Sequence, residues 1–518
     1  MQNVHTVPAR RWVSSVEYRW LVISSISVVL IASLPYLAGA LAATPDRLFT
    51  GLQVNPLDGV SYLAKMRLGW NGAWLFQLRF TAEQGSGALL FTYFIALGHV
   101  ARLFNLPLIT TFHLARLVGG FALLWTIYHL IARCTDSIDL RRRTWWLVAL
   151  SSGLGWLAAL LGHADSSDLT IGESNTFYSL MANAHFALAT ALMLALFIGV
   201  IETTRLTLRR IIGLSALSIA LAIIQPFAPF AVYAILGVTL LLIGRRDRSV
   251  SRLSFTAALM AGVVTAPLLL YLYLATQSDP TLRAWSMQNQ TPSPPPIEYV
   301  IGYGLLIVAA IPGARAAWQR RSNWDVLLIV WIVITVPMLY APIPLQRRLS
   351  LGLHIPIAML AASGLSQIIH AKWPRRWVMA AMVPTSIFIV IGLIGGAATH
   401  NPHIFITANE AAAFNWLQAN APFDAVVLAA PDTSAFIPAF AGQRVVYGHP
   451  YETVDADRKR QLVDDVLAGK IDRSTVLRDN DVAYVMVGPR ERALGSVDWS
   501  ALPVVFTAGD VMVYAVKP

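Results

Sequence analysis

Apolar residues in this chain come in long unbroken runs, not at the spacing of amphipathic helices or half-buried strands. With a window of about 19 residues, the runs are Trp20 to Ala43, Leu108 to Ile131, Trp145 to Gly162, Asn183 to Ile201, Ile211 to Ile224, Phe227 to Gly244, Phe255 to Thr276, Ile297 to Pro312, Val326 to Pro342, Leu351 to Ile369 and Val378 to Ala398. The pattern predicts a polytopic α-helical membrane protein with about eleven transmembrane helices. A further run, Ala88 to Phe104, carries His99 and Arg102 and follows a glycine-rich stretch. The first run ends in Gly39 to Ala43, small residues like those of a signal-peptidase site, but its apolar core is too long for a typical signal and is expected to be retained as a helix.

After His400 the pattern changes. Asn409 to Asn420 has helical spacing, Ala425 to Ala430 reads as a buried strand, and Asp455 to Gly469 reads as a helix capped by its aspartate. Val482 to Val487 is a strand, and Val504 to Thr507 and Val511 to Val516 flank Gly509-Asp510 as a hairpin. Residues 1–400 are therefore expected to form the transmembrane domain, with a long first outer loop at 44–107, and residues 401–518 a soluble α/β domain. There is no internal repeat. The one low-complexity patch, Thr291 to Pro296, is a proline-rich linker.

Composition agrees: 56% of the 518 residues are hydrophobic and 13% charged, against about 25% charged in soluble domains. The net charge of +11 raises nucleic acid as a partner, but the excess lies in the membrane part, with 29 basic and 14 acidic residues before position 401 and 10 and 14 after it. There it reads as topology. If Ala88 to Phe104 does not fully cross, six basic clusters fall on one side: Arg10, Arg11 and Arg19; Arg133 and Arg141 to Arg143; Arg205, Arg209 and Arg210; Arg245, Arg246, Arg248 and Arg252; Arg315, Arg320 and Arg321; Lys372, Arg375 and Arg376. The expectation is a multi-pass plasma-membrane protein with a cytoplasmic N-terminus and an extracytoplasmic C-terminal domain. The single cysteine, Cys134, excludes an intramolecular disulfide and a cysteine metal cluster.

Candidate chemistry lies on the outer side. In the first loop, Asn55 to Asp58 stops the chain and starts a helix, which lines up Asp58, Ser61, Tyr62 and Lys65 on one face. Asp58 is either a general base at the membrane surface or an aspartate capping its own helix. Asp46 is a weaker candidate of the same kind. Gln346, Arg347 and Arg348 break the charge rule by lying outside, and two guanidiniums at interface depth suit a lipid phosphate or pyrophosphate, with headgroup snorkelling as the alternative. Arg116 and His113, one turn apart, either extend that basic wall or form a buried pair. Asp165, Asp168 and Glu173, ahead of Asn183 and His185, form an acidic loop whose spacing matches no metal motif. Asp46, Asp168 and Glu173 are the only weak metal candidates, and a divalent cation stays open as a cofactor. His449, between Gly448 and Pro450, is either structural or in reach of an acceptor.

The aspartate heading a helix as Asp-x-x-x-Tyr (Asp58 to Tyr62), the acidic second outer loop and the many crossings resemble the C-type glycosyltransferase superfamily. The match includes Asp58 to Arg67, then Gly69, Gly72 and Trp74, Phe112 to Leu117, Gln346 to Pro356 and Arg444 to Thr453. Two departures stand out: Gly59 replaces a second acid, and the second loop has no clean acidic pair. The resemblance implies an inverting membrane glycosyltransferase that moves a sugar from a polyprenyl-phosphate or diphosphate donor to an extracytoplasmic lipid, glycan or protein acceptor. It implies Asp58 as base, with Arg347, Arg348, Gln346 and Arg116 on the donor phosphate. Tyr62, Lys65, Glu173, His185 and His113 would line the substrate. The rival readings are a transporter or flippase of a lipid-linked or anionic substrate and a non-catalytic membrane scaffold. Neither implies nucleic acid.

Overall fold

The computed structural model describes residues 13–516, without the side chains of 248–251. Arg10, Arg11 and the side chain of Arg248 therefore lie outside the described residues. The chain begins with α1 (Ser15–Ala42), β1 (Arg47–Phe49), α2 (Pro56–Trp70), α3 (Thr92–Leu103), α4 (Leu108–Cys134) and α5 (Ile138–Leu150). Short helices follow, α6 (Gly155–Leu160), α7 (Ser167–Thr170) and α8 (Thr176–Met181), then α9 (Ala184–Ile201), α10 (Leu208–Ile224), α11 (Ala228–Gly244) and α12 (Arg248–Ser278). Next come α13 (Pro280–Gln288), α14 (Pro296–Tyr303), α15 (Leu305–Arg320), α16 (Asn323–Met338), α17 (His354–Ile368), α18 (Lys372–Ala380) and α19 (Pro384–Ala398).

This is a polytopic membrane protein, with fewer long helices than the eleven apolar runs suggest. Among the described residues 6 helices are long and apolar enough to cross a bilayer: 15–42, 108–134, 184–201, 252–278, 346–368 and 372–398. The pair α14 and α15 makes a seventh if counted as one span, bent by 82° at Gly304, whose φ of 44° suits glycine. Helices α11 and α16 are apolar but shorter. The expected crossing at Trp145 to Gly162 is instead α5 and α6, broken at Ser151 to Leu154. That break is buried and its amides are satisfied from elsewhere: Ser152 N–H donates to Met382 O (2.7 Å), Leu154 N–H to Ile301 O (2.8 Å) and Gly153 N–H to Asp168 Oδ2 (2.9 Å). Irregular backbone is tolerated at membrane depth on these terms.

Ala88 to Phe104 is not among the helices long and apolar enough to cross. Its helical part, α3, has 12 residues, about 18 Å of helix against a core of about 30 Å. It packs on α2 through two glycines: a Cβ on Gly98 would stand 1.9 Å from Met66 O, and one on Gly69 would stand 2.0 Å from Ile95 O. The same reciprocal approach joins α15 to α17, where a Cβ on Gly313 would meet Leu360 O at 1.9 Å and one on Gly364 would meet Ala309 O at 2.1 Å. Small residues of this kind let helix backbones touch.

Beyond residue 400 the chain forms β2 (Phe405–Thr407), α20 (Ala408–Asn420), β3 (Val426–Leu428), β4 (Arg444–Val445), β5 (Val482–Val487), β6 (Val504–Ala508) and β7 (Val511–Ala515), with helices at Ala456–Leu467 and Arg473–Asp479. The sheet order is β4-β3-β5-β7-β6, parallel among β4, β3 and β5 and antiparallel at β7. Asp455 does not cap its helix; its carboxylate accepts from Arg458 Nε at 2.5 Å. The sheet region is stitched to the first inter-span segment. Strand β1 pairs antiparallel with β2, and Val60, Leu63, Met66, Phe80 and Phe94 share one core with Phe414, Leu417, Val427, Val445 and Val513.

Candidate active site

Helix α2 starts at Pro56, whose missing N–H costs nothing in a first turn. Asn55 precedes it in the left-handed region (φ 46°) and makes no capping bond; its Oδ1 accepts from Tyr178 OH at 3.1 Å. Asp58 therefore sits in the first turn, where the helix dipole favours a negative charge, without capping its own helix. The capping alternative does not hold. The carboxylate is partly open to solvent, and among the described residues nothing hydrogen-bonds to it.

Several loops bring charged groups to this helix end. Asp58 lies within electrostatic reach of Tyr62, Lys65, Glu173, Tyr178 and His449. Arg348, on the 3₁₀ turn Gln346–Ser350, reaches Tyr62, Lys65, Glu173 and His185, and Arg347 reaches Glu173. Glu173 is 7% exposed; burial pushes its carboxyl up, against the pull of Arg348 and Arg347. Tyr62 stacks on Phe94 at 4.1 Å, and its hydroxyl lies 3.5 Å from His185 Nε2. Burial raises the Tyr62 phenol well above its usual range, and Asp58 adds to this. Among the described residues the buried Nε atoms of Arg347 and Arg348 and the Nδ1 of His185 have no hydrogen-bond partner. A buried donor left unmade is costly, so these atoms are where an anionic or polar ligand gains most.

Other expected site residues are spoken for. Gln346 donates to Ala341 O (2.7 Å) and accepts from Ser293 N–H (3.1 Å), fixing the proline-rich linker between α13 and α14. Arg116 donates to Leu180 O and to Ser33 Oγ, both at 3.0 Å, and to His113 Nδ1 at 3.4 Å, with its guanidinium 4.5 Å from the Tyr36 ring. His113 Nε2 lies 2.9 Å from Gly51 O. Arg116 and His113 thus form a packing pair between helices, not an extension of the basic wall. Asp168 accepts from Gly153 and Gly155 N–H and from Ser166 Oγ, which holds the broken crossing together. Asp46 is exposed.

Lys65 is also not free for substrate. It is 1% exposed and its Nζ donates to Glu452 Oε1 (2.6 Å) and Ser61 Oγ (2.6 Å), with the Phe91 ring at 4.3 Å. Ser61 Oγ donates to the same Glu452 oxygen at 2.5 Å. Burial pushes the Lys65 ammonium down and Glu452 pushes it back up. Burial would raise Glu452, yet Lys65 first and His449 next hold its carboxyl below the usual range.

The structure also holds an apolar groove of about 370 Å³, lined by Tyr299, Tyr303, Ile307, Val336, Tyr340 and Leu353 among others. One lining residue, Tyr299, is within electrostatic reach of Glu173 and Arg347, and its hydroxyl lies 3.3 Å from Ser293 Oγ.

The chain matches solved structures along nearly its whole length. ArnT from Cupriavidus metallidurans bound to undecaprenyl phosphate superposes with a TM-score of 0.55 at 12% identity, covering 97% of this chain and 98% of that one. The apo oligosaccharyltransferase of Archaeoglobus fulgidus gives 0.50 at 12% identity over 92% of this chain and 70% of that one. The chain shares the fold of these two proteins. No family model matches the chain, and no curated protein matches it by sequence.

On this fold, Asp58, Arg347 and Arg348 all lie within electrostatic reach of Glu173. Among the described residues no group of three or more His, Cys, Asp or Glu side chains is arranged to hold a metal ion. Asp46, Asp168 and Glu173 do not converge, and the acids around Asp58 are interleaved with cations. Sequence reasoning missed Glu452 and Tyr178. Glu452 stood inside a stretch noted only for its resemblance, and its partner Lys65 lies 387 positions away, so nothing local signals the pair.

Proposed function

We propose that this protein is a membrane glycosyltransferase that takes a sugar from a polyprenyl-phosphate donor and passes it to an acceptor outside the cytoplasm, with the N-terminus inside and residues 401–518 outside. The observation that carries the reading is that Glu173 lies within electrostatic reach both of a partly exposed acid, Asp58, and of two guanidiniums, Arg347 and Arg348, whose buried Nε atoms lack partners among the described residues, with an apolar groove whose Tyr299 is within reach of Arg347. The shared fold supports the same class of reaction. The groove suits a prenyl chain, and Arg347, within electrostatic reach of Tyr299 in its lining, suits the phosphate at the head of that chain.

Chemistry then follows from charge. An acceptor hydroxyl or amide attacks the anomeric carbon; the new bond to that carbon forms as the bond to the phosphate oxygen breaks, so the sugar inverts. Asp58 takes the acceptor's proton, a role that contributes about 10²- to 10⁴-fold. The electron pair leaves on the phosphate, where Arg347 and Arg348 stabilise it through paired, charge-assisted hydrogen bonds. Burial pushes the Glu173 carboxyl up against the pull of Arg348 and Arg347, which tempers its negative charge beside them. A flippase would need the anion pocket but not Asp58, and a scaffold would need neither. Transfer of radiolabel from undecaprenyl-phosphate-linked sugars by the purified wild type, and its loss in Asp58→Asn, separates the readings.

A further inference from the structure

Helix α18 plays no part in the chemistry above, yet its surface is patterned. Trp373 and Trp377 stand one turn apart on one face, 71% and 61% exposed, with ring centroids 5.7 Å apart in an edge-to-face pair. Lys372 and Arg376, also four residues apart, are exposed on the neighbouring face. Arg375 turns inward and is buried. Two tryptophans left in water would forfeit the burial that large aromatic rings normally contribute, so the pair marks a surface that something covers.

Length indicates the cover. The apolar helix from Lys372 to Ala398 has 27 residues, about 40 Å of helix against a hydrocarbon core of about 30 Å. The run Val378 to Ala398 fills that core by itself, which leaves Lys372 to Trp377 at the level of the headgroups. Tryptophan is enriched at that level, and Lys and Arg reach phosphates there on apolar stems.

Charge narrows the partner. The sequence holds no Asp or Glu between Asp325 and Glu410, and among the described residues no carboxylate pairs with Lys372 or Arg376. The acid within electrostatic reach of Arg375 is Asp139, which is already bonded to Arg143. The helix therefore meets the membrane with uncompensated positive charge. A zwitterionic headgroup brings its own ammonium, so a headgroup with net negative charge gains more from these two cations.

We propose that α18 is a binding surface for anionic phospholipids of the leaflet it faces, with Lys372 and Arg376 on the lipid phosphates and Trp373 and Trp377 seated among the headgroups. This inference is independent of the transferase reading.

The test uses full-length protein in phosphatidylcholine nanodiscs that carry a small fraction of phosphatidylglycerol or phosphatidylcholine brominated near the head of the acyl chains. Bromine quenches tryptophan on contact. The fluorescence of wild type minus that of the double variant Trp373→Phe, Trp377→Phe isolates this pair from the other tryptophans. Per mole, brominated phosphatidylglycerol should quench the pair about 10-fold more than brominated phosphatidylcholine, as two cationic side chains at a charged surface require. With Lys372→Gln and Arg376→Gln added to both proteins, the two lipids should quench alike while the melting temperature stays that of wild type. Quenching by neither lipid, as a protein partner or a second copy covering the face would give, overturns the inference. Equal quenching by both lipids in wild type, or an unchanged preference after loss of the two charges, also overturns it. If the double tryptophan variant melts early, Trp377→Phe alone supplies the difference.

Discussion

Asp58 makes no capping bond and lies open at a helix start, so its replacement should cost chemistry and spare the fold. Asp58→Asn keeps the size of the side chain and removes basicity; the protein should insert and melt like wild type while transfer falls about 100-fold or more. Turnover at the wild-type rate would move the base elsewhere, with Glu173 next in place. Arg347→Ala and Arg348→Ala should each weaken undecaprenyl phosphate binding about 10-fold, and Arg→Lys should recover only part, because an ammonium cannot make the two-pronged contact. Full recovery with Lys, read from binding isotherms, would reduce these residues to headgroup anchors. At this scale much was legible in the sequence. Asp58, Tyr62, Glu173, His185, Arg347 and Arg348 were marked by helix spacing, by an acidic loop and by a break in the charge rule, and the fold gathers them. Gln346, Arg116, His113 and Lys65 carried the same marks and serve packing instead, because a polar residue at membrane depth needs a partner whether or not it does chemistry.

Between elements, the decisive contacts join segments far apart in the sequence, so no local pattern announced them. The Lys65 and Glu452 pair ties α2 to the sheet region, and removing one partner strands a buried charge at a cost of about 3–5 kcal/mol. Glu452→Gln should therefore lower the melting temperature strongly, whereas Lys65→Met with Glu452→Leu should lose less than either single change; equal loss would mean that packing, not charge, holds the loop. The pH dependence follows from sign. Glu452 is held below its ordinary value of 4.5 when folded, so its stabilising share is complete above that value and disappears as pH falls through the lower folded one. The acid end of the stability profile should flatten in Glu452→Gln. Likewise, α2 and α3 touch through Gly69 and Gly98, where a side chain would overlap a carbonyl oxygen. Gly98→Val should disrupt this contact and reduce transfer by displacing α2, as thermal melts and activity together would show. Apolar runs found most of the long helices, but they could not show the break within Trp145 to Gly162. There Ser151 to Leu154 break the helix and borrow hydrogen bonds from Asp168, Met382 and Ile301, and hydropathy cannot register such bonds.

Over the whole molecule, the two regions that composition separates, before and after residue 400, share one core around α2, so the site is built by both. The charge distribution adds an orientation, which cysteine-accessibility labelling can check. With Cys134 replaced, new cysteines beside Arg142 should react from the cytoplasmic side only, and cysteines near Glu173 from the outside. The central claim is that Asp58, Arg347 and Arg348 form one transferase site for a polyprenyl-phosphate donor. Its most direct test is transfer of radiolabelled sugar from undecaprenyl-phosphate-linked donors by purified protein in nanodiscs supplied with host membrane lipids and glycans. Undecaprenyl phosphate binding should be measured on the same samples. Wild type should bind and transfer, Asp58→Asn should bind without transferring, and the double change of Arg347 and Arg348 to Ala should do neither. A wild type that binds without transferring, or an Asp58→Asn protein that transfers as well as wild type, would contradict the account.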